Sequence, residues 1–181
     1  MKSGIALFAL LFCVLGTAIS VAQTSDASDD VADHTILKKD VGEWAGELRM
    51  FGPDMPSDAM PADETNTMLG EFWVISNFSM GDEFQGQGTF GYDADKKKFI
   101  GSWVDSQSPH AMHMEGTWDG AKRTMTMLTI GKDENGKEKK GKITTVHSED
   151  GNSRVFTMFD LAADSKDEFV KTMEIKYTRK K

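Results

Sequence analysis

Cysteine is all but missing: the single copy, Cys13, falls inside an apolar amino-terminal stretch and nowhere else. Beyond that stretch, disulfides, zinc–thiolate centres and cysteine nucleophiles are therefore excluded. Phe12 precedes Cys13 where lipid attachment would need a small residue, which argues against a lipoprotein. Proline is scarce as well, and three of its four copies (Pro53, Pro56, Pro61) crowd into one stretch. Hydrolase signatures are lacking: there is no G-x-S-x-G elbow and no H-E-x-x-H helix. Cationic residues are in deficit, 21 against 29 acidic ones, for a formal charge of -8. That balance disfavours nucleic acid and anionic membranes as partners. The closing Arg179-Lys180-Lys181 is too short a basic run to reverse it.

What is present begins with an export signal. Lys2 supplies a positive start, Ile5 to Val21 is largely apolar, and Ser20-Val21-Ala22 is a small-x-small cleavage site before Gln23. Residues 1–22 read as a signal peptide, 23–30 as a flexible leader and 31–181 as one domain, exported to the periplasm or secreted. Cleavage brings the charge to about -9, because Lys2 leaves with the signal. No membrane insertion is expected after cleavage. Asp30 to Val41 predicts a short helix with an Asp N-cap and Gly42 as its stop.

From there the chain alternates strand-forming runs with turn chemistry. Trp44 to Phe51 predicts the first strand, the proline-bearing Gly52 to Ala62 a loop, and Thr67 to Phe78 the second strand region. Phe84 to Ser106 is the most patterned part, two strands joined by Asp93-Ala94-Asp95-Lys96. Period-two alternation puts Phe99, Gly101, Trp103 and Asp105 on one face, with Trp103 inward beside a glycine gap. Further strands are expected over Met112 to Trp118, Arg123 to Ile130, Lys142 to His147, Arg154 to Leu161 and Glu168 to Arg179. In the last, Phe169, Met173, Ile175, Tyr177 and Arg179 share the core-facing parity. The fold class is all-β: an up-and-down antiparallel barrel of about eight to ten strands after a short helix, closed so that no edge is exposed. An inward arginine at the end of a terminal strand needs an aromatic face or a carboxylate, and Trp44 is the candidate partner of Arg179.

Gly42-x-Trp44 with a late Arg179 resembles the closing signature of lipocalin-like calycin barrels, in which a first-strand tryptophan is covered by an arginine. More closely, the chain resembles the bacterial family of domains of unknown function numbered fifteen seventy-nine. The matching residues are His34, Leu37, Gly42-Glu43-Trp44, Gly88-Thr89-Phe90-Gly91-Tyr92-Asp93, Trp103, Asp105-Ser106, Glu115-Gly116-Thr117 and Tyr177-Thr178-Arg179. The resemblance implies the barrel, with Gly42, Trp44 and Arg179 as its structural closure. It implies no activity, and it assigns His34 no role.

Several clusters invite a chemical reading. Pro109-His110-Ala111-Met112-His113-Met114 joins imidazoles to thioethers, a donor set that suits copper, with Met125 and Met127 on a neighbouring strand. Strand alternation divides it, since His110, Met112 and Met114 share one face and His113 takes the other. Methionines occur throughout, so those four residues are weak metal candidates and the thioethers read as core filler. His147 could serve as an axial haem ligand, against the plainer reading of a rim histidine beside Glu149-Asp150. Gly131 to Lys137 mimics a phosphate loop, but Glu138 stands where Ser or Thr is needed, so it reads as a charged hairpin. Asn77-Phe78-Ser79 is a glycosylation sequon only in a eukaryotic host. Asp105, Glu71 and Glu115 are candidate inward acids for hydrolytic chemistry. No cofactor is indicated.

The function expected is non-enzymatic binding of a small apolar ligand inside the barrel, with Trp73, Tyr92, Trp103, Met125, Met127 and Tyr177 as interior contacts. The competing class is a structural or interaction module whose barrel is filled by its own side chains. A copper-binding or hydrolytic protein is the remaining alternative. What separates them is whether the interior is hollow.

Overall fold

The computed structural model describes residues 34–55, 58–162 and 165–181. The signal peptide, the leader and the Asp30 cap lie outside the described residues. Residues 34–38 form a short helix, α1, which ends before the positive-φ Gly42. Ten strands follow: β1 (Gly42–Met50), β2 (Met60–Leu69), β3 (Trp73–Met80), β4 (Phe84–Asp93), β5 (Lys98–Asp105), β6 (Met112–Asp119), β7 (Thr124–Lys132), β8 (Glu138–His147), β9 (Ser153–Leu161) and β10 (Phe169–Arg179). Each pairs antiparallel with its sequence neighbours, and β1 pairs with β10, so the sheet is a closed up-and-down barrel.

The closing seam sets the frame. Trp44 stands opposite Arg179, Gly46 opposite Tyr177 and Leu48 opposite Ile175, so the inward parities of the first and last strands coincide. Alternation within β1 is regular, with Trp44, Gly46 and Leu48 buried and Ala45, Glu47 and Arg49 turned out. The hairpin of β4 and β5 folds as its pattern predicts. Trp103 lies flat across β4, where a Cβ at Gly86 would come within 2.1 Å of the indole and one at Gly88 within 3.2 Å. Glycine in β4 is what lets a tryptophan lie on the barrel wall.

Three expectations need correction. Pro61 does not exclude a strand: β2 begins at Met60, with Pro61 opposite Glu47 of β1. The pairing of β2 with β3 starts only at Asp63, so the proline sits where one side of the strand is unpaired and its missing N–H is tolerated. The run Thr67 to Phe78 is two strands, divided at Gly70, whose φ of 65° turns the chain. Phe169 is not a core residue. A bulge between Lys171 and Met173 shifts the register of β10, which turns Phe169 outward to lie, with Phe159, under the Lys142 ammonium at 4.8 Å.

The helix stoppers one end of this barrel. Ile36 and Leu37 enter the core with Val74, Phe99 and Met127. The carbonyls that close α1 are then tied down by side chains from distant strands. Arg179 donates to Lys39 O (2.7 Å) and Val41 O (2.6 Å), while Trp44 Nε1 and Asn66 Nδ2 both donate to Asp40 O at 2.9 Å. Arg179 also reaches Gly151 O in the β8–β9 turn (3.3 Å), and its guanidinium lies 4.1 Å from the centre of the Trp44 ring. Gly42 makes room for it, because a Cβ there would sit 2.6 Å from Arg179 Nη1 at a φ of 126°. Replacing Gly42 by alanine therefore both strains the backbone and displaces the arginine. Gly42→Ala should lower the unfolding free energy by about 2 kcal/mol in urea titration. An unchanged midpoint would contradict the fit of Arg179 against Gly42.

Candidate functional site

Above the helix the barrel is hollow. A cavity of about 620 Å³ runs up the axis, open at the end opposite α1. Its walls come from every strand, because the residues that alternate inward converge on one axis. Nine methionines line it, among them Met60, Met114, Met125 and Met158, together with Phe78, Phe84, Phe90, Phe99 and Trp103. The thioethers are thus not scattered filler: they concentrate on one surface, leaving Met55 exposed and Met68 packed in the core. Methionine side chains are unbranched and polarisable, so such a wall adapts its shape to what it encloses.

The floor has different chemistry. Asp40, following α1, and Glu64 of β2 hold the guanidinium of Arg154 from β9 between them: Arg154 Nη1 donates to Asp40 Oδ1, and Nη2 to Glu64 Oε1 at 2.5 Å. The plane of Arg154 lies 4.4 Å from the Trp44 ring centre and 4.6 Å from that of Tyr177. Asn66 Nδ2 donates to the same Glu64 oxygen at 2.6 Å, and His147 Nε2 meets Asp40 Oδ1 at 2.9 Å. Burial raises the Asp40 carboxyl pKa, but Arg154 and His147 together outweigh it and hold the group below the usual carboxylate range. Burial works to deprotonate Arg154, and the two carboxylates reverse that and raise its pKa. Tyr177 is pushed well above the ordinary phenol value, first by burial and then by the Glu64 carboxylate to which it hydrogen-bonds. Every charge on the floor is consequently paired, as burial requires.

Not every polar atom is. Among the described residues, Asn66 Oδ1, Arg154 Nε, His147 Nδ1 and His34 Nδ1 are buried without a hydrogen-bond partner. Asn66 and Arg154 both line the cavity, at 2% and 6% exposure.

The positions of the predicted residues are uneven. Trp103, Met125, Met127 and Tyr177 line the cavity. Trp73 does not: it stands on the outer face, 37% exposed, where a Cβ on Gly91 would touch its ring at 2.5 Å. Parity explains the error, since Val74, not Trp73, is the inward residue of β3. Tyr92 points inward but packs on Phe99 (5.2 Å) and the His34 ring (5.7 Å) beside the helix plug. His34 therefore has a place, wedged edge-on between Tyr92 and Phe72.

His110, Met112 and Met114 line the upper cavity, while His113 faces outward on β6. Among the described residues, no three or more His, Cys, Asp or Glu side chains come together to hold a metal ion. His147 is no rim residue. It is buried at 5%, bonded to Asp40 and edge-on to Trp118 at 5.4 Å. Of the three candidate acids, Asp105 faces the cavity and accepts from Trp103 Nε1 at 3.1 Å. Glu115 is outside, paired with Lys98 at 2.5 Å, and Glu71 lies exposed in the β2–β3 turn. Sequence reading passed over Asp40, Glu64, Asn66 and Arg154. Their signal was polar residues at inward parity, visible only once the register of β2 and β9 is known.

A pH dependence follows from the lowered carboxyls. The Asp40 pKa is depressed in the folded barrel relative to its unfolded value near 3.8, and Asp150, in the turn that Arg179 grips, is brought down to about 2 by Ser148 and Asn152. Depressed folded values mean stability that is fully present above the unfolded pKa and lost as pH falls through the folded one. Urea midpoints should be insensitive to these groups above about pH 5 and fall from about pH 4 downwards. Asp40→Asn should flatten that acid limb, at a cost near neutrality of about 3 kcal/mol for breaking a buried pair. An acid limb of unchanged slope in Asp40→Asn would contradict the assignment.

The comparisons with known proteins agree with this architecture. No curated protein sequence matches the chain. Among solved structures, the crystal structure of Rv2717c from M. tuberculosis superposes with a TM-score of 0.58 at 9% identity, over 81% of this chain and 96% of that one. An identity so low speaks to the fold alone. A family model described as "Protein of unknown function (DUF1579)" matches residues 30–179. It takes in the helix plug and all ten strands, and the chain belongs to that family.

Proposed function

We propose that this protein is an exported, non-enzymatic carrier that encloses one small, largely apolar molecule within its barrel. The observation that carries this reading is the methionine- and phenylalanine-lined cavity of about 620 Å³, stoppered at one end and open at the other. Ligand pockets are commonly of about 300–1,000 Å³, largely apolar, with a few placed polar groups. The filled-barrel alternative loses its basis, because a void of that size is far more than close packing leaves between side chains. A hydrolytic reading finds little support: the buried carboxylates Asp40 and Glu64 are both engaged by Arg154, leaving neither free as a base. Export is part of the proposal and rests on Lys2, the apolar run Ile5 to Val21 and the small-x-small site Ser20-Val21-Ala22.

The test is titration of protein labelled at the methionine methyl carbons with the neutral probe N-phenyl-1-naphthylamine. Cavity methyls should shift together and probe fluorescence should rise, while the exposed Met55 methyl stays in place. Met158→Trp, which fills the tube from β9, should weaken binding by about tenfold or more. Methyl shifts that fail to appear, or that appear only at Met55, would sink the proposal.

A further inference from the structure

Resting on that reading, we infer that the enclosed molecule is a long-chain amphiphile with an anionic head, the carboxylate of an alkanoate. The head stays at the open end, beside the lysines of the β7–β8 hairpin, and the tail runs down between the methionines toward the helix plug.

Reach decides where a charged head can sit. On the floor, both terminal nitrogens of Arg154 are engaged by Asp40 and Glu64, and its side chain is only 7% exposed. A carboxylate brought there would be desolvated against two others, which is costly in a low-dielectric site. Cations that a ligand can touch stand at the other end. Lys132, which closes β7, and Lys139 and Lys140, which open β8, all line the cavity. Lys139 shares the inward parity of Gly141 and Ile143, and its partner on β7 is Gly131. A Cβ on Gly131 would meet nothing closer than Met112 at 3.5 Å, so the wall beside Lys139 has room. The Lys139 and Lys140 side chains are each 54% exposed, so a head beside them keeps much of its water.

Balance decides the sign. Two aspartates share the open end with these lysines. Asp105 is occupied by its own strand end, accepting from Trp103 Nε1 at 3.1 Å and from the Gln107 N–H at 2.9 Å. Asp160 pairs with Lys139 at 2.8 Å, and Lys140 pairs with Glu138 at 3.3 Å. Ion pairs this exposed are weak, so either ammonium can turn to an incoming carboxylate. Lys132 makes no ion pair among the described residues. On this lining lysines outnumber carboxylates three to two, the reverse of a chain with a formal charge of -8. The opposite lip, from β2, β3 and β4, is apolar, with Met60, Met80 and Phe84. A molecule with one charged end and one long apolar end matches that division.

The experiment displaces N-phenyl-1-naphthylamine from the intact protein with dodecanoate and with dodecyltrimethylammonium, equal tails of opposite charge, both below their aggregation limits. At low salt dodecanoate should bind about fivefold tighter, the size that exposed ion pairs reach. The acidic chain as a whole favours the cation, so this order reads the local site. High salt should shrink the preference, and Lys132→Met combined with Lys139→Met should abolish it. A second measurement on the unaltered protein locates the tail. Nuclear Overhauser contacts from the terminal methyl of dodecanoate should reach Met125, which lies opposite Thr145 toward the plug, and not Met112 at the mouth. Equal or tighter binding of the cation, a preference that survives the double substitution, or terminal-methyl contacts to Met112 without Met125 would overturn the head-group placement and leave the carrier intact. Methionine methyls that respond to none of the compounds would overturn both.

Discussion

The structure depends on Trp44 being fully buried beneath two guanidinium groups at the helix-plugged end of the barrel. Arg179 covers the ring from the seam and holds the carbonyls of Lys39, Val41 and Gly151, so that one side chain ties the helix, the first strand and the β8–β9 turn together. Arg154 lies over the same ring from the cavity floor and is held by Asp40 and Glu64. Cation–π contacts of this kind strengthen as water is excluded, and the carboxylates supply the counter-charge that burial of an arginine demands. Without that set, the first and last strands would still pair, but the helix would be left to the core packing of Ile36 and Leu37 and the Asn66 bond to Asp40 O.

A stoppered end has a consequence for the other. Eight strands give a barrel just wide enough for side chains to fill, and ten enclose a wider bore. The excess is left as open volume, and glycine and methionine decide its shape. Gly86 and Gly88 let Trp103 lie against the wall instead of across the bore. The methionines coat what remains with flexible thioethers, which suits a ligand whose outline varies. The polar floor, where Arg154 is held by Asp40 and Glu64, contrasts with this thioether wall.

Much of the barrel was legible beforehand because alternation is a local property. The β4–β5 hairpin, the inward Trp103 and the parity of Met173, Ile175, Tyr177 and Arg179 all follow from period two and from turn residues. Where the reading failed, a non-local fact intervened. Pro61 was compatible with a strand only because β3 does not extend alongside it. Phe169 left the core because of a bulge facing β9. Trp73 was assigned by residue type where its neighbour Val74 held the inward parity.

The sequence by itself determined that this is an acidic, all-β chain with no cysteine beyond its apolar amino-terminal stretch, and that Gly42, Trp44 and Arg179 belong together. Those follow from composition, from alternation and from a short signature in fixed order. Only the tertiary structure decided that the interior is hollow, that the methionines converge on it, and that Asp40, Glu64, Asn66, His147 and Arg154 meet on its floor. Asp40 and Arg154 are separated by 114 positions along the chain. No local pattern links residues so far apart, because their meeting depends on the register of every hairpin between them and on closure of the first strand against the last.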